Sequence, residues 1–319
     1  MGRRPAPRYM GGQAVVDGVM MRGSTSWAVA VRKPDGDIEI VTHDAPRWAE
    51  RWVKIPLARG IVALAESLSL GVKALMWSSE QQLPEEERLS KGVAGVSLGI
   101  ALTIFAAIFI VLPAFAARGL HGLAGIGGGF WLHVIEGAVR LGFFIAYLLL
   151  IGRLPDIRRV FEYHGAEHKA IAAYENDVEV TPSSAQRFTT QHVRCGTNFL
   201  LTVMIVSIVV FAFFGRPALP MLIVSRVLLI PLVAAISYEV IRFAASHMRW
   251  RWVRLAMKPG LGLQLLTTRE PTLDQIEVAI TSLRAVMTAE QRSEVDARST
   301  NRPSATTRSL PTRPSFGSA

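Results

Sequence analysis

Residues 92–117, GVAGVSLGIALTIFAAIFIVLPAFAA, carry no charged side chain. A helix needs about 20 apolar residues to cross the hydrocarbon core of a bilayer. This run exceeds that length, and a helix satisfies every backbone amide and carbonyl from within the segment. The stretch therefore predicts a membrane-spanning helix and sets the class of the protein around it.

Working outward, GLHGLAGIGGG (119–129) is too rich in glycine to hold a helix and reads as a short external loop. Residues 130–152 form a second predicted span, with Glu136 and Arg140 four apart on one helical face. A third covers 198–215. After the turn RPALP, a fourth covers 221–240 and carries Arg226 and Pro231. The expectation is a mainly α-helical, polytopic membrane protein with about four transmembrane helices and a small N-terminal β element.

Composition agrees with that class. Half of the 319 residues are hydrophobic and 19% are charged. The mean hydropathy is +0.31, and a formal charge of +10 gives a pI of about 10.3. A basic balance suits nucleic acid or an anionic membrane, and the apolar runs favour the membrane, so no nucleic acid is expected as a partner. The partner expected is the lipid bilayer, and the sequence leaves a homo-oligomer open. The lone Cys195 excludes an intramolecular disulfide. No apolar segment backs the basic N-terminus, so no cleavable signal peptide is expected. Lys and Arg concentrate before the first span, between the second and third, and after the fourth. The two predicted external loops offer only Arg118 and Arg216. The positive-inside rule then places both termini and the loop 153–197 in the cytoplasm of a cell-membrane protein.

Four segments follow. Residues 1–91 hold GGQAVVDGVMMRG, with a short apolar alternation, and WAVAVRKPDGDIEIVTHD, a β-hairpin turning at Pro34-Asp35-Gly36. A helix starting at Pro56 comes next. Its Arg59, Glu66 and Lys73 argue for an interfacial or bundle-packed helix rather than a spanning one. Residues 92–249 are the membrane domain. Residues 250–298 begin with tryptophan and arginine interleaved, as at a membrane surface. An amphipathic helix follows, and Thr272 and Gln275 read as its capping box. Residues 299–319, rich in Ser, Thr, Pro and Arg, are expected to be disordered.

The chemistry is concentrated in YHGAEHKAIAAYE, residues 163–175 of the cytoplasmic loop. On a helix His164 and His168 face the same way. Two imidazoles so placed can bind one Zn²⁺, and Glu167 can serve as general base toward a water. The order H-x-x-E-H is the inverted zincin pattern, although a solvated polar helix face explains the same residues. A third ligand must come from another segment. Glu175, seven residues beyond His168, lies about 10 Å along the helix axis. The candidates in order are Cys195, His192 and Glu239. Their structural alternatives are a small buried side chain, a capping or hydrogen-bonding imidazole, and an ion pair with Arg242. A Cys195 nucleophile activated by His192 or His164 is a separate enzymatic reading.

Four stretches, GGQAVVDGVMMRG, YHGAEHKAIAAYE, HVRCGTNFL and PGLGLQLLTTREPTLDQIEVA, together resemble the signature segments of the YqhQ family of bacterial membrane proteins. The resemblance spans roughly residues 9–290. Asp17 stands where that pattern usually has glutamate, and Val193 where it often has proline. The resemblance implies metal binding at the H-x-x-E-H segment, with His164, Glu167, His168, His192 and Cys195 as the positions concerned. It supplies no substrate. Arg269 and Glu270 also belong to the pattern, as functional groups or as pins for the C-terminal helix. The expected function is a zinc-dependent hydrolase at the cytoplasmic membrane face. The rival is a non-enzymatic scaffold, transporter or regulator built on Glu136, Arg140 and Arg226.

Overall fold

A computed structural model describes residues 10–46, 52, 54–87, 90–113, 115–116, 119, 129–213 and 219–300. Four strands, β1 (Gly11–Val15), β2 (Gly18–Arg22), β3 (Ser26–Arg32) and β4 (Ile38–Asp44), form an antiparallel meander in that order. Its turns follow from local chemistry. Val15 pairs with Gly18, and Asp17 between them takes a left-handed φ of 51° that aspartate tolerates better than most residues. At the 32–38 turn Gly36 has φ 95°, and its amide donates to the Lys33 carbonyl. The hairpin expected over 27–44 is present, and the GGQAVVDGVMMRG stretch adds a second hairpin to it.

Strand periodicity makes this sheet a two-sided layer. Val19, Met21, Ala28 and Ala30 face one way, onto α4 (Pro155–Glu175) and α9 (Leu273–Val286). Val15, Met20, Trp27, Val29 and Val31 face the other way, onto Leu70, Ala74 and Trp77 of α1 (Ala58–Gln81). Burial on both faces explains why β3, SWAVAVR, reads as a continuous apolar run rather than as an alternation. Residues from the N-terminal segment, the 153–197 loop and the C-terminal segment therefore share one core.

The apolar helices are α2 (Lys91–Ala106, continued by a π turn at Ala107–Val111), α3 (Gly129–Ile151), α6 (Gly196–Ala212) and α7 (Leu219–Ser246). Among the described residues, three helical stretches are long and apolar enough to cross a membrane: Ala58–Gln81, Val134–Ile151 and Val227–Ser246. The expected spans at 92–117 and 198–215 fall on shorter apolar helices, Gly95–Phe109 and Gly196–Ala212. The expected external loops fall largely outside the described residues, as do the tail from residue 301 and the Arg226 side chain.

Helix α1 was expected to be a poor spanning helix because of its charges, and two of them are paired within the fold. Glu66, almost fully buried, pairs with Arg22 of β2, and Arg59 pairs with Glu239 of α7. Inside the helical layer, Arg140 reaches Glu136 at 2.8 Å, Ser207 Oγ at 3.3 Å and the carbonyl of Phe109 at 3.1 Å. The π turn thus presents a carbonyl to a buried guanidinium, which joins α2, α3 and α6 through one cation.

Short elements complete the chain. Helix α5 (Pro182–Ala185) lies in the loop after α4, and α8 (Arg251–Thr267) returns from the end of α7. Helix α9 starts on the reciprocal Thr272–Gln275 capping box expected from sequence, and α10 (Ala289–Thr300) follows it. Residues 267–271 pin α9 to the core. The Arg269 amide donates to the Phe161 carbonyl, and Gly165 lies so close to the Arg269 carbonyl that a Cβ there would collide with it.

Candidate metal centre

Helix α4 begins with Pro155 at its first turn beside Asp156, both suited to a helix N-terminus. Three turns on, it presents His164 and His168 from one face, their ring centroids 4.5 Å apart. Each imidazole is fixed from behind by a backbone carbonyl. His164 Nδ1 lies 2.8 Å from the oxygen of Thr267 at the end of α8, and His168 Nδ1 bonds the oxygen of Thr190 in the loop before α6. A carbonyl can only accept, so Nδ1 carries the proton in both rings. Nε2 keeps its lone pair, which is the tautomer a metal ligand requires.

The third candidate donor is Cys195, buried at the N-terminus of α6, where its sulfur accepts from the Thr197 amide. Its Sγ lies 3.3 Å from His164 Nε2 and also contacts the His168 side chain. One ligand atom each from His164, His168 and Cys195 all lie within 4.8 Å of one another. Tetrahedral zinc, with bonds of about 2.1 Å to nitrogen and 2.3 Å to sulfur, holds its ligands roughly 3.4–3.6 Å apart. The Cys195–His164 spacing is already that short, so the donor set fits zinc in kind, number and tautomer.

Glu167 is buried beside this group, with Gly12 of β1 over its side chain. A Cβ at Gly12 would lie 3.0 Å from Glu167 Cγ and 2.7 Å from the Met20 carbonyl. Burial pushes the Glu167 carboxyl up, against smaller opposing pulls from His164 and His192. Burial likewise pushes the His168 imidazole down, which favours its neutral form.

The remaining candidates are held by other partners. The His192 ring lies 5.6 Å from that of His168, but its Nε2 turns to Glu175 Oε2 at 3.3 Å, and Arg194 holds the other Glu175 oxygen. Glu175 therefore serves as partner to two residues of the following loop. The structure does not bring Glu239 into the group. Its carboxylate is held by the Arg59 guanidinium and the Leu57 amide, not by the Arg242 pair weighed as its alternative.

Several supporting residues were not foreseen. Gln264, fully buried, brackets the His192 backbone, accepting from its amide and donating to its carbonyl, both at 2.8 Å. Buried Lys169 donates to the carbonyls of Gln186 and Phe188 and pairs with Glu270 at 2.7 Å, which fixes the loop leading to Thr190. A lone glutamine within GLGLQLLT was the signal available for Gln264. Nothing in the sequence marked Thr190, and Thr267 stood only as part of the PGLGLQLLTTREP stretch, because the backbone oxygens of both do the work.

Together the geometry defines a helical protein with an apolar helix layer, a small sheet and a buried His–His–Cys centre. The chain belongs to the family described as "Protein of unknown function (DUF1385)", whose pattern matches residues 55–289. It is 34% identical over 310 residues to the "Uncharacterized protein YqhQ" of Bacillus subtilis (strain 168), covering 92% of this chain and 97% of that protein. Membership of the YqhQ family is thereby established. No solved structure matches the chain.

Proposed function

We propose that the protein is a membrane-bound, zinc-dependent hydrolase whose site faces the cytoplasmic side of the bilayer. The observation that carries this reading is the convergence of His164, His168 and Cys195, with both imidazoles locked by carbonyls into the ligating tautomer. Zinc held by these three would supply Lewis-acid activation of a water and of a carbonyl or phosphoryl oxygen. Three protein ligands leave a tetrahedral ion one position for substrate or water, as catalytic sites do and structural sites do not. Glu167 is the general base: its raised pKa suits a carboxylate that takes a proton from the attacking water and returns it to the leaving group. His192, held by Glu175, borders the site beside His168. The lysine and arginine distribution supports an orientation with both termini in the cytoplasm.

The contact between Cys195 Sγ and His164 Nε2 favours one second reading, a Cys–His nucleophile pair with His164 oriented by the Thr267 carbonyl. Cobalt substitution separates the two. The hydrolase reading expects a thiolate-to-cobalt absorption band that Cys195→Ser abolishes. It also expects Glu167→Gln to retain the ion while losing turnover on ester, amide and phosphodiester probes. A protein that takes up no cobalt, and whose Cys195 alkylates at the rate of an activated thiolate, would favour the nucleophile. Absence of both properties would favour a non-enzymatic scaffold.

A further inference from the structure

The surface where α7 ends and α8 begins takes no part in the centre described above, and its composition is one-sided. Between Glu239 and Glu270 the chain has no acidic residue, while Arg242, Arg249, Arg251, Arg254 and Lys258 fall around the α7–α8 junction. Four aromatic rings run along the same surface. Phe243 stacks on His247 at 4.2 Å, His247 meets Trp250 at 4.6 Å, and Trp250 meets Trp252 at 5.5 Å. Trp250 and Trp252 are nevertheless 46% and 58% exposed, and Leu255 is 64% exposed.

We infer that the 249–258 face is a docking surface for the anionic headgroups of a bilayer leaflet. Position supports this first: the face follows directly on Ser246, the last residue of the long apolar stretch Val227–Ser246. Tryptophan there has its apolar ring at the level where hydrocarbon gives way to headgroups. The design of α8 supports it second. Its inner face buries Val253, Met257, Gly260, Leu263, Gln264 and Thr267, while its outer face mixes Trp252 and Leu255 with Arg254 and Lys258. A helix solvated on its outer face carries polar residues there. One that lies in the interface carries large apolar residues flanked by cations. Charge complementarity is direct, because cations near an anionic leaflet gain free energy that a zwitterionic leaflet does not offer. Nucleic acid, the other polyanion, needs aromatic faces free to stack on bases within a cationic groove, whereas these rings pack on one another beside exposed leucine.

The consequence reaches the metal centre through geometry. The far end of α8 supplies the Thr267 carbonyl that orients His164, and Arg254 lies about 20 Å before it along the helix axis. A headgroup-bound α8 therefore holds the centre near the membrane surface, within reach of a substrate that is itself anchored in the lipid.

The test uses the full chain purified in non-ionic detergent. Bound phosphatidylglycerol and phosphatidylcholine are compared by native mass spectrometry, and zinc is measured on the same sample. The wild type is expected to retain phosphatidylglycerol preferentially, with the preference falling steeply in high salt. Arg249→Gln with Arg254→Gln should reduce the preference about thirty-fold at two cations, leaving zinc content and thermal melting unchanged. Trp250→Ala with Trp252→Ala should weaken retention of both lipids alike. Equal retention of the two lipids by the wild type would overturn the inference, as would an undiminished preference in the arginine variant. So would single-stranded RNA binding to this face with no lipid preference. Zinc bound without lipid preference would sink this inference alone, and lipid preference without zinc would sink the hydrolase reading alone.

Discussion

Replacing Lys169 by methionine tests how the centre is held. Its side chain is 2% exposed, and its Nζ lies 2.7 Å from the Gln186 carbonyl, 2.6 Å from that of Phe188 and 2.7 Å from Glu270 Oε1. Methionine fills most of the same volume and removes the charge. Glu270 is 64% exposed and can turn to water, so the larger loss falls on the two carbonyls. Each hydrogen bond from a charged donor contributes about 1.5–3 kcal/mol, and the buried thioether recovers part of that. A net destabilisation of about 3 kcal/mol follows, roughly a hundredfold in the folding equilibrium. The loop then loses its anchor two residues before Thr190, whose carbonyl orients His168. Loss of such outer support lowers metal affinity by about 10–100-fold. Competition against a chromophoric chelator measures the zinc affinity, and thermal melting in detergent measures the stability. Glu270→Gln is the comparison, expected to cost less than about 1 kcal/mol because that carboxylate is largely solvated. If Lys169→Met bound zinc and melted as the wild type does, the link from Lys169 through the loop to His168 would be wrong.

Further outcomes follow from close approaches and from charge. Gly165→Ala would drive a methyl group into the Arg269 carbonyl between α4 and the segment that orients His164, so both melting temperature and zinc affinity should fall. Gly262→Ala meets nothing within 4 Å inside α8 and should instead raise stability by about 0.5–1 kcal/mol, measured by the same melts. The pKa of Glu167 is raised in the folded state. Above the ordinary carboxylate range the unfolded chain thus releases a proton that the folded chain keeps, and metal-free protein loses stability as pH rises through that window. Glu167→Gln should flatten this decline above the ordinary carboxylate range, and an unchanged slope would assign the pH dependence to another group.

What the sequence disclosed followed the range of its signals. Pro34-Asp35-Gly36 and the Thr272–Gln275 box are local devices, and both formed as read. His164 and His168 share a face because helical periodicity fixes it, and thiolate chemistry makes Cys195 their first-ranked partner from sequence. Three features were hidden. The sheet's burial on two faces depends on α1, α4 and α9 meeting it from distant parts of the chain. The partners of Arg59 and Glu66 in α1, Glu239 and Arg22, lie far off in sequence. The imidazole tautomers are set by backbone oxygens of Thr190 and Thr267, and a backbone oxygen leaves no mark in side-chain identity. Glu239 was ranked by its presumed depth in the bilayer, and depth says nothing about which arginine will claim it.

The central claim is that His164, His168 and Cys195 hold a metal ion. Elemental mass spectrometry of the untagged full chain, purified without chelator and offered zinc, tests it most directly against His164→Ala/His168→Ala. The account predicts about one zinc per chain, lost in the double variant while its melting remains cooperative. No zinc in the wild type, or equal zinc in both proteins, would contradict it.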